Sequence, residues 1–358
     1  EQIRKIFRAS RIIGKRFKLV HVFNRSELIE VATFRSGNNG FNNGNLVTDQ
    51  SGKIIRDNVW GTLEEDTYRR DFTINALYYC PITGKIEDYN KGLKHIHNKE
   101  IVSIGDPDLR FEEDPVRSLR AIRFCTKLNF KISNNIKEAI YKKGHLLSSV
   151  SNARLFDEFC KIFLNGMAEK NFNKLVSFGL NKYLVSTNLN GCEFSNQLII
   201  EALRNTDKRI KNNQSITPGF LIAALLWPQL IKKSLKGNEI NLKKFFRSMD
   251  SILRNQQKIT AIPRKFHTYI KDIWVLQLKL HSRIGRQPYK TLKHPRFRAA
   301  YDFLLIREKA TAKTKDLGFW WTEFQKNNED LKKKLINDLK KNNLEESSKI
   351  FGFSKELR

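Results

Sequence analysis

The sequence predicts an α+β protein, in which a mixed segment that ends near Ile104 is followed by a long helical region. Strand-like apolar runs cover residues 17–23, 28–34 and 72–80. From Asp106 onward, apolar residues recur at the three- and four-residue spacing that is typical of helices. A chain of 358 residues with 40% hydrophobic content can build several domains.

The mixed segment begins with residues 1–7, whose apolar side chains share one helical face. Residues 37–44 (GNNGFNNG) are polar and conformationally permissive, so we expect a mobile loop there. Thr62 and Glu65 form the sequence signature of a capping box. This signature predicts a short helix before the strand at residues 72–80.

The helical region consists of apolar stretches with helical periodicity and contains no internal repeat. The predicted helices cover residues 115–128, 135–143, 155–164, 172–178, 198–203, 220–231, 273–280 and 297–306. The Lys-rich run at residues 332–341 is interpreted as a solvated helix face or a surface that contacts a nucleic-acid backbone.

The charge balance indicates a polyanionic partner. Lys and Arg (66) outnumber Asp and Glu (37), which gives a formal net charge of +29. Such a charge attracts polyanions and makes their binding salt-dependent, so nucleic acid is the expected partner. AT-rich coding also enriches a chain in Lys, Asn and Ile, and charge by itself leaves this alternative open.

Zinc, redox and membrane signals are weak. The 4 cysteines lie too far apart for a Cys-x-x-Cys pair, and a reducing cytoplasm is the expected location. His95 and His97 lack a nearby third ligand and are interpreted as a pair in a surface turn. The longest apolar stretch, residues 220–227, is shorter than the ~20 residues of a membrane span, so we expect no membrane insertion.

A helix that begins at Asp114 and Pro115 carries a binding signal. Asp is a good N-cap, and Pro is favoured at the first helical position. Cations recur three or four residues apart along one face, at Arg117, Arg120, Arg123 and Lys127. Asp114 and Arg117 together match the acceptor and donor edge of a nucleobase, and an ordinary i,i+3 salt bridge is the alternative.

A second cluster precedes the strand predicted at residues 72–80. Arg69 and Arg70 supply guanidinium forks that suit triphosphate oxygens, and the carboxylate of Asp71 suits ribose hydroxyls or a metal ion. On the strand at residues 28–34, Glu30 interrupts an apolar row. It therefore needs a partner or a function, unless this edge of the sheet is solvated.

Two longer motifs resemble a known family. Residues 69–76, RRDFTINA, resemble the RRDFTxNA signature of class II nucleotidyltransferases of the polymerase-β superfamily. Residues 110–124, RFEEDPVRSLRAIRF, resemble the neck motif of the same family. The EDxxR core of that motif falls on Glu113, Asp114 and Arg117.

Both CCA-adding enzymes and bacterial poly(A) polymerases share these motifs. Residues 153–159, ARLFDEF, resemble the helix that supports the neck, with Asp157 where family members more often have Glu. Residues 271–278, 294–302 and 320–324 resemble the arginine-rich C-terminal region of bacterial poly(A) polymerases, which CCA-adding enzymes do not share. The resemblance covers nearly the whole chain and favours the poly(A) polymerases.

The resemblance implies a polymerase-β-like nucleotidyltransferase head followed by an all-helical neck, body and C-terminal region. It places the head at residues 1–104, an RNA- and nucleotide-binding neck at 105–170, a helical body at 171–262 and a basic, arginine-rich RNA-binding region at 263–358. The implied activity is template-independent addition of adenylate from ATP to RNA 3′ ends, which promotes RNA turnover in the cytoplasm. Two Mg²⁺ ions are the implied cofactors, and RNA-decay factors are further expected partners, whereas no sequence feature indicates an oligomer.

The resemblance also implies residue roles. The catalytic residues are Asp71 and Glu30, and Glu30 is the metal ligand. The nucleotide-binding residues are Arg69, Arg70, Thr73, Asn75, Asp114, Arg117 and Arg120. The RNA-binding residues are Arg123, Lys127, Arg154, Arg296 and Arg298.

The sequence departs from the family in one respect. Family members begin with a Gly-Gly loop and an Asp-x-Asp pair that binds the metals, and residues 1–7 resemble the helix that follows this pair. We therefore expect an incomplete head that lacks its first strands, with Glu30 as the remaining carboxylate and little or no polymerase activity in the chain as it stands. CCA-adding activity and a non-catalytic RNA-binding remnant are the alternative functions.

Overall fold

The computed structural model describes residues 1–14, 18–36, 47–48, 54–56, 60–186, 193–236, 239–311 and 315–341. The chain divides into two compact units, residues 1–146 and 147–358. Among the described residues, no helix is both long enough and apolar enough to cross a membrane.

The first unit mixes helices and strands. Its helices are α1 (Gln2–Ile6), α2 (Leu63–Tyr68), α3 (Gly92–His97), α4 (Pro107–Glu113), α5 (Val116–Leu128) and α6 (Asn134–Lys143), with 3₁₀ turns at Thr73–Asn75 and Gly144–Ser149. Its strands are β1 (Ser10–Ile13), β2 (Leu19–Asn24), β3 (Glu27–Val31), β4 (Val47–Thr48), β5 (Ile54–Arg56), β6 (Tyr78–Tyr79), β7 (Ile86–Glu87), β8 (Glu100–Ile101) and β9 (Lys131–Ile132).

Strands β1, β2 and β3 form an antiparallel sheet in that order. Val20 and Val22 of β2 are buried, and His21 between them faces the opposite side, as the two-residue period of a strand requires. The other pairs are two-stranded, and β8 and β9 are parallel. Helix α5 supplies a fully buried stripe that includes Val116, Leu119 and Ile122, so this helix is fixed in the core of the first unit.

The strand predicted at residues 72–80 is wrong for most of its length. The structure has a 3₁₀ turn at Thr73–Asn75 and a strand only at Tyr78–Tyr79. The cause is Asp71, whose Oδ1 accepts hydrogen bonds from the backbone N–H of Phe72 (2.9 Å) and from Asn75 Nδ2 (3.0 Å). Such side-chain contacts to the local backbone compete with a sheet ladder and turn the chain.

Other features of the mixed segment agree more closely with their predictions. The capping box of Thr62 and Glu65 is confirmed, with both of its reciprocal hydrogen bonds present. The strand predicted at residues 28–34 is present as β3 but ends at Val31. The loop predicted at residues 37–44 lies outside the described residues.

The second unit is helical, as predicted, apart from one short β pair. Its helices are α7 (Asn152–Phe163), α8 (Ala168–Ser177), α9 (Glu193–Lys211), α10 (Pro218–Ser234), α11 (Leu242–Gln257), α12 (Arg264–Leu280), α13 (Gln287–Leu292), α14 (Phe297–Thr311), α15 (Lys315–Lys326) and α16 (Glu329–Lys341), with a 3₁₀ turn at Asn181–Tyr183. The β pair joins β10 (Leu235–Lys236) to β11 (Glu239–Ile240).

Helix α10 is the centre of the second unit. It is apolar around most of its circumference, and such a helix must be covered on all sides. Helices α9, α11 and α12 pack against it. Trp227 in this helix is fully buried, and the rings of Phe245 and Phe303 meet it edge to face.

Candidate active site

A buried carboxylate, Asp66, anchors both arginines of the RRD run. Asp66 lies near the end of α2, three residues before its C-cap Arg69 and four before Arg70, and this spacing lets the three side chains meet. Asp66 is 2% exposed, and its Oδ1 accepts from Arg69 Nε (2.7 Å) and from the backbone N–H of Arg35 (3.1 Å). Its Oδ2 accepts from Arg70 Nη2 (3.0 Å) and from the hydroxyl of Tyr78.

Titration of this cluster follows from its hydrogen bonds. Burial by itself raises the pKa of Asp66, but hydrogen bonds from Tyr78 and Arg69 outweigh it and hold this pKa below its usual value. Burial and the hydrogen bond to Asp66 raise the pKa of Tyr78. At neutral pH the carboxylate is therefore charged and the phenol protonated, which keeps Arg69 and Arg70 in place.

A second buried carboxylate, Asp71, joins the 3₁₀ turn to helix α5. Asp71 is 7% exposed, and its Oδ1 already accepts from Phe72 and Asn75. Its Oδ2 accepts from Arg120 Nε at 2.5 Å. The Arg120 guanidinium carbon also lies 5.4 Å from the centre of the Phe124 ring. Asp71 thus orients Arg120, and its role as a catalytic residue stays a prediction.

Glu113 holds a pair of arginines at the junction of helices α4 and α5. Its Oε2 accepts from Arg110 Nη1 (2.6 Å) and from Arg117 Nη1 (2.8 Å). Arg110 Nη2 also donates to the carbonyl oxygen of Arg70 at 2.5 Å, and Arg117 Nη1 donates to that of Arg110 at 3.0 Å. Burial, and then the neighbouring Arg117 charge, lowers the pKa of Arg110.

Asp114 lies between the two helices and caps the second. Its Oδ1 accepts from the backbone N–H of Val116 at 3.2 Å. Helix α5 begins at Val116 with Pro115 in the N-cap position, one residue later than predicted. The carboxylate that pairs with Arg117 is Glu113, in an i,i+4 bridge, rather than the Asp114 partner of the predicted fork or i,i+3 bridge.

Thr73 and Asn75, the other two predicted nucleotide-binding residues of the RRDFTINA run, have structural partners. The Thr73 hydroxyl lies 2.9 Å from His95 Nδ1, and the Asn75 amide donates to Asp71. Helix α3 approaches this turn so closely that a Cβ at Gly92 would lie 2.5 Å from the carbonyl oxygen of Thr73. Only glycine fits at this position without displacing backbone.

The predicted metal ligand, Glu30, lies on β3 opposite His21 of β2. Its Oε1 is 3.2 Å from His21 Nε2, and its side chain is 64% exposed, which matches a solvated sheet edge. Among the described residues, no group of three or more His, Cys, Asp or Glu side chains could hold a metal ion. The metal role of Glu30 stays a prediction.

The predicted RNA-binding residues fall in both units. In the first unit, the guanidinium of Arg123 lies 4.9 Å from the Phe124 ring, and Lys127 is exposed near the end of α5. The residues of the second unit are all exposed and comprise Arg154 on α7, Arg296 before α14 and Arg298 within it.

Sequence reasoning missed three residues of the candidate site: Asp66, Tyr78 and Arg110. The spacing of Asp66 from Arg69 and Arg70 was a local signal that could have identified it. Arg110 donates to the carbonyl oxygen of Arg70, which lies 40 residues away, and Tyr78 contacts Asp66 from outside α2, so no helical spacing predicts these two contacts.

Three family models match the chain. They are the poly A polymerase head domain at residues 1–102, the probable RNA and SrmB-binding site of polymerase A at 129–187, and the polymerase A arginine-rich C-terminus at 238–350. Poly(A) polymerase I of Salmonella typhi is 38% identical over 352 residues, which cover 95% of this chain and 76% of that protein. The chain belongs to the poly(A) polymerase family.

Other members and relatives place it within that family. Poly(A) polymerase I of Escherichia coli O157:H7 is 39% identical over 353 residues, or 95% of this chain and 76% of that protein. The CCA-adding enzyme of Bacillus subtilis is 38% identical over only 170 residues, or 48% of this chain and 40% of that enzyme. A solved CCA-adding enzyme of Thermotoga maritima with tRNA shares the fold, with a TM-score of 0.56, 19% identity and coverage of 91% of this chain and 71% of that one.

Proposed function

We propose that this protein adds adenylate from ATP to RNA 3′ ends without a template, and so promotes RNA turnover in the cytoplasm. The observation that carries the proposal is the extent of the likeness to poly(A) polymerase I, at 38% identity over 95% of the chain. The likeness to the Bacillus subtilis CCA-adding enzyme extends over 48%. In the proposed reaction the RNA 3′-hydroxyl oxygen bonds to the α-phosphorus of ATP, and pyrophosphate leaves.

The arginine cluster of the first unit suits the nucleotide in this reaction. The Arg70 side chain is 38% exposed, so part of a guanidinium that Asp66 holds in place faces solvent, where it can donate to triphosphate oxygens. Arg117 is 14% exposed and is fixed by Glu113 and by a backbone carbonyl. We assign Arg117 and Asp114 to the base of ATP, because a fixed donor fork and a carboxylate match its hydrogen-bonding edge.

Four expectations from the family resemblance stay outside this assignment. The described residues do not form a cluster that fits a metal ion, so we derive no step through the two Mg²⁺ ions that the resemblance implies. The division into four domains, the partners from RNA decay and the cytoplasmic location are likewise expectations. RNA contact is assigned to Arg123, Lys127, Arg154, Arg296 and Arg298.

Primer extension tests the proposal. The full-length gene product is incubated with Mg²⁺, one nucleoside triphosphate at a time, and either a single-stranded RNA primer or tRNA that lacks its CCA end. We expect extension with ATP on the RNA primer. Incorporation of CTP into the tRNA would instead identify a CCA-adding enzyme, and no extension of either substrate would identify a non-catalytic RNA-binding protein.

A variant pair sharpens this assay. Arg117→Gln should lower ATP incorporation and weaken discrimination against CTP, because the donor fork is lost. Arg247→Gln makes the same charge change on an exposed residue of α11 and should leave both unchanged. The same assay with the 358-residue chain tests the separate prediction that this chain has little or no activity.

A further inference from the structure

The second unit contains a cleft that brings Arg296 and Arg298, two of the residues assigned to RNA contact, together with residues that have no assigned role. It has a volume of about 220 Å³ and lies among helices α9, α10, α12 and α14. The residues that matter for its chemistry are Arg209, Phe220, Tyr269, Arg296, Arg298 and Asp302. Three guanidinium groups face one carboxylate here, so the lining carries an excess of positive charge.

The three arginines of the cleft are held in two different ways. Asp302 accepts from Arg209 Nη1 (3.2 Å) and pairs with Arg298 Nε (3.1 Å), so its charge is shared between these two residues. Arg296 instead lies over the ring of Tyr269, with its guanidinium carbon 4.9 Å from the ring centre. In the part of the chain that the structure describes, Arg296 has no carboxylate partner.

A guanidinium that an aromatic ring positions keeps its N–H donors free for an anion. The adjoining walls are apolar, since they include the ring of Phe220 and the side chain of Pro295. A ligand that offers both a phosphate and a planar ring matches such a lining, because aromatic side chains stack on bases of any sequence. That combination is a nucleotide.

Positive charge continues beyond the cleft. The last turn of α9 carries Lys208 and Lys211 beside Arg209. On α12, Lys265 lies four residues before Tyr269, on the same face of the helix. A free nucleotide would need none of these residues, whereas a polynucleotide backbone that enters and leaves the cleft would pass them.

We propose that this cleft binds one nucleotide of a single-stranded RNA, with its phosphate on Arg296, which Tyr269 supports, and its base against Phe220. The proposal rests on the proposed function, because the cleft would be a second contact site for the RNA substrate. Its residues are far in the sequence from the RRDFTINA run. The site contacts the base by stacking on its ring face rather than by hydrogen bonds to its edge, so it accepts RNA of any sequence.

Fluorescence anisotropy with a labelled single-stranded oligo(A) tests the cleft in the intact chain. Arg296→Gln should weaken binding about tenfold. The negative slope of log affinity against log salt should become shallower by about 0.7, the value for one phosphate contact on a single strand. Arg247→Gln removes the same charge from an exposed position on α11 and should weaken binding less than about twofold.

The base contact is tested with Phe220, which lines the cleft but does not hold Arg296. Phe220→Leu should weaken binding about tenfold through lost stacking, and Phe220→Tyr should retain nearly all of the affinity because it keeps an aromatic ring. On a strand with abasic sites, Phe220→Leu and the parent protein should bind alike. A penalty from Phe220→Leu that is equally large on the abasic strand would contradict base stacking, and circular dichroism checks that each variant is folded.

Two results would overturn the proposal. Equal losses from Arg296→Gln and Arg247→Gln would show that the cleft adds nothing beyond general charge. Binding of AMP that depends on Arg296, with oligo(A) binding unaffected by the same substitution, would assign the cleft to a free nucleotide. The primer-extension result is independent, since RNA can bind the cleft of a protein that adds no adenylate, and a protein that adds adenylate can lack this contact.

Discussion

Arg69, Arg70 and Arg120 of the first unit each donate to a buried aspartate, whereas Arg296 of the second unit lies on the ring of Tyr269. Asp66 and Asp71 are nearly inaccessible, and their oxygens are occupied by several donors. Arg69, Arg70 and Arg120 are therefore fixed mainly by charge, and Arg296 by an aromatic surface. A guanidinium held by a buried carboxylate sets geometry, while one mounted on a ring remains available to a ligand.

The largest difference in stability between the units is expected when Asp66, the buried carboxylate that holds Arg69 and Arg70, is neutralised. Asp66→Asn leaves Arg69 and Arg70 without their carboxylate in a buried site, so the free energy of unfolding of the first unit should fall by about 3 to 5 kcal/mol. Urea unfolding followed by hydrogen exchange at residues 60–80 measures this loss.

The matched control is Asp250→Asn in the second unit. Asp250 pairs with Lys271 at 2.5 Å, but its side chain is 53% exposed. Exposed pairs contribute little, so the loss should be below about 1 kcal/mol. Similar losses in the two variants would show that burial of the Asp66 carboxylate does not distinguish the units.

Acid should affect the two units in different pH ranges. Burial, and then the Arg307 and Arg283 charges, lowers the pKa of His281 to about 3. The unfolded chain takes up this proton below about pH 6.5 and the folded chain does not, so stability of the second unit should fall by up to about 1.4 kcal/mol per pH unit as the pH drops from there. Tryptophan fluorescence of a Trp60→Phe background follows this unit, since the other four tryptophans lie in it.

In the first unit, the pKa of Asp66 lies below its ordinary value of 3.8. Its contribution is complete above that value and is lost only as the pH falls through the lowered pKa of the folded state. His281→Gln should remove the slope of the second unit between pH 6.5 and 4 and leave the first unit unchanged. An unchanged slope would rule out His281 as its source.

Local patterns predicted most of the long helices but missed α4 and α11, and they placed helix ends poorly. The apolar stretch at residues 198–203 marks the buried stripe of α9, which runs from Glu193 to Lys211, because polar ends carry no periodic signal. The capping box at Thr62 was predictable because all its partners lie within one turn. The turn at Thr73–Asn75 was not, since the apolar residues matched a strand and the competing contacts of Asp71 depend on side-chain geometry.

The candidate site shows the same limit. Sequence patterns and family resemblance identified Asp71, Arg117 and Arg120 as site residues. The role of each depends on its ion-pair partner in the folded structure. Arg117 binds Glu113 rather than Asp114, and Arg120 crosses from α5 to Asp71 over 49 residues of sequence. Such long-range contacts come from packing, which a local pattern does not encode.

Adding a Cβ at a tightly packed glycine should give a smaller difference in stability loss between the two units. Gly92→Ala places a Cβ 2.5 Å from the backbone oxygen of Thr73, which cannot move by itself, so we expect a loss of about 2 to 3 kcal/mol. Gly318→Ala meets side chains rather than backbone, namely the carboxylate of Glu308 and Leu305 Cδ2 at 2.7 Å, and these can shift at a cost of about 1 to 2 kcal/mol. Thermal unfolding of each variant compares them, and a larger loss for Gly318→Ala would show that Glu308 is the more rigid obstacle.

The smallest effect is expected at the rim of the cleft. Arg298 is 73% exposed, and its bridge to Asp302 is an ordinary surface pair. Arg298→Gln should change the free energy of unfolding by less than about 1 kcal/mol and should weaken RNA binding less than Arg296→Gln does. A larger RNA-binding loss at Arg298 would move the phosphate contact from Arg296 to Arg298.

A double-mutant cycle between Asp71 and Arg120 tests most directly whether a buried carboxylate fixes an arginine of the first unit. The free energy of unfolding of residues 1–146 is measured by hydrogen exchange for the parent, Asp71→Asn, Arg120→Gln and the double variant. The Asp71–Arg120 contact predicts that the single losses are not additive, with a coupling energy of about 1 to 3 kcal/mol. Additive losses, within about 0.5 kcal/mol, would contradict it.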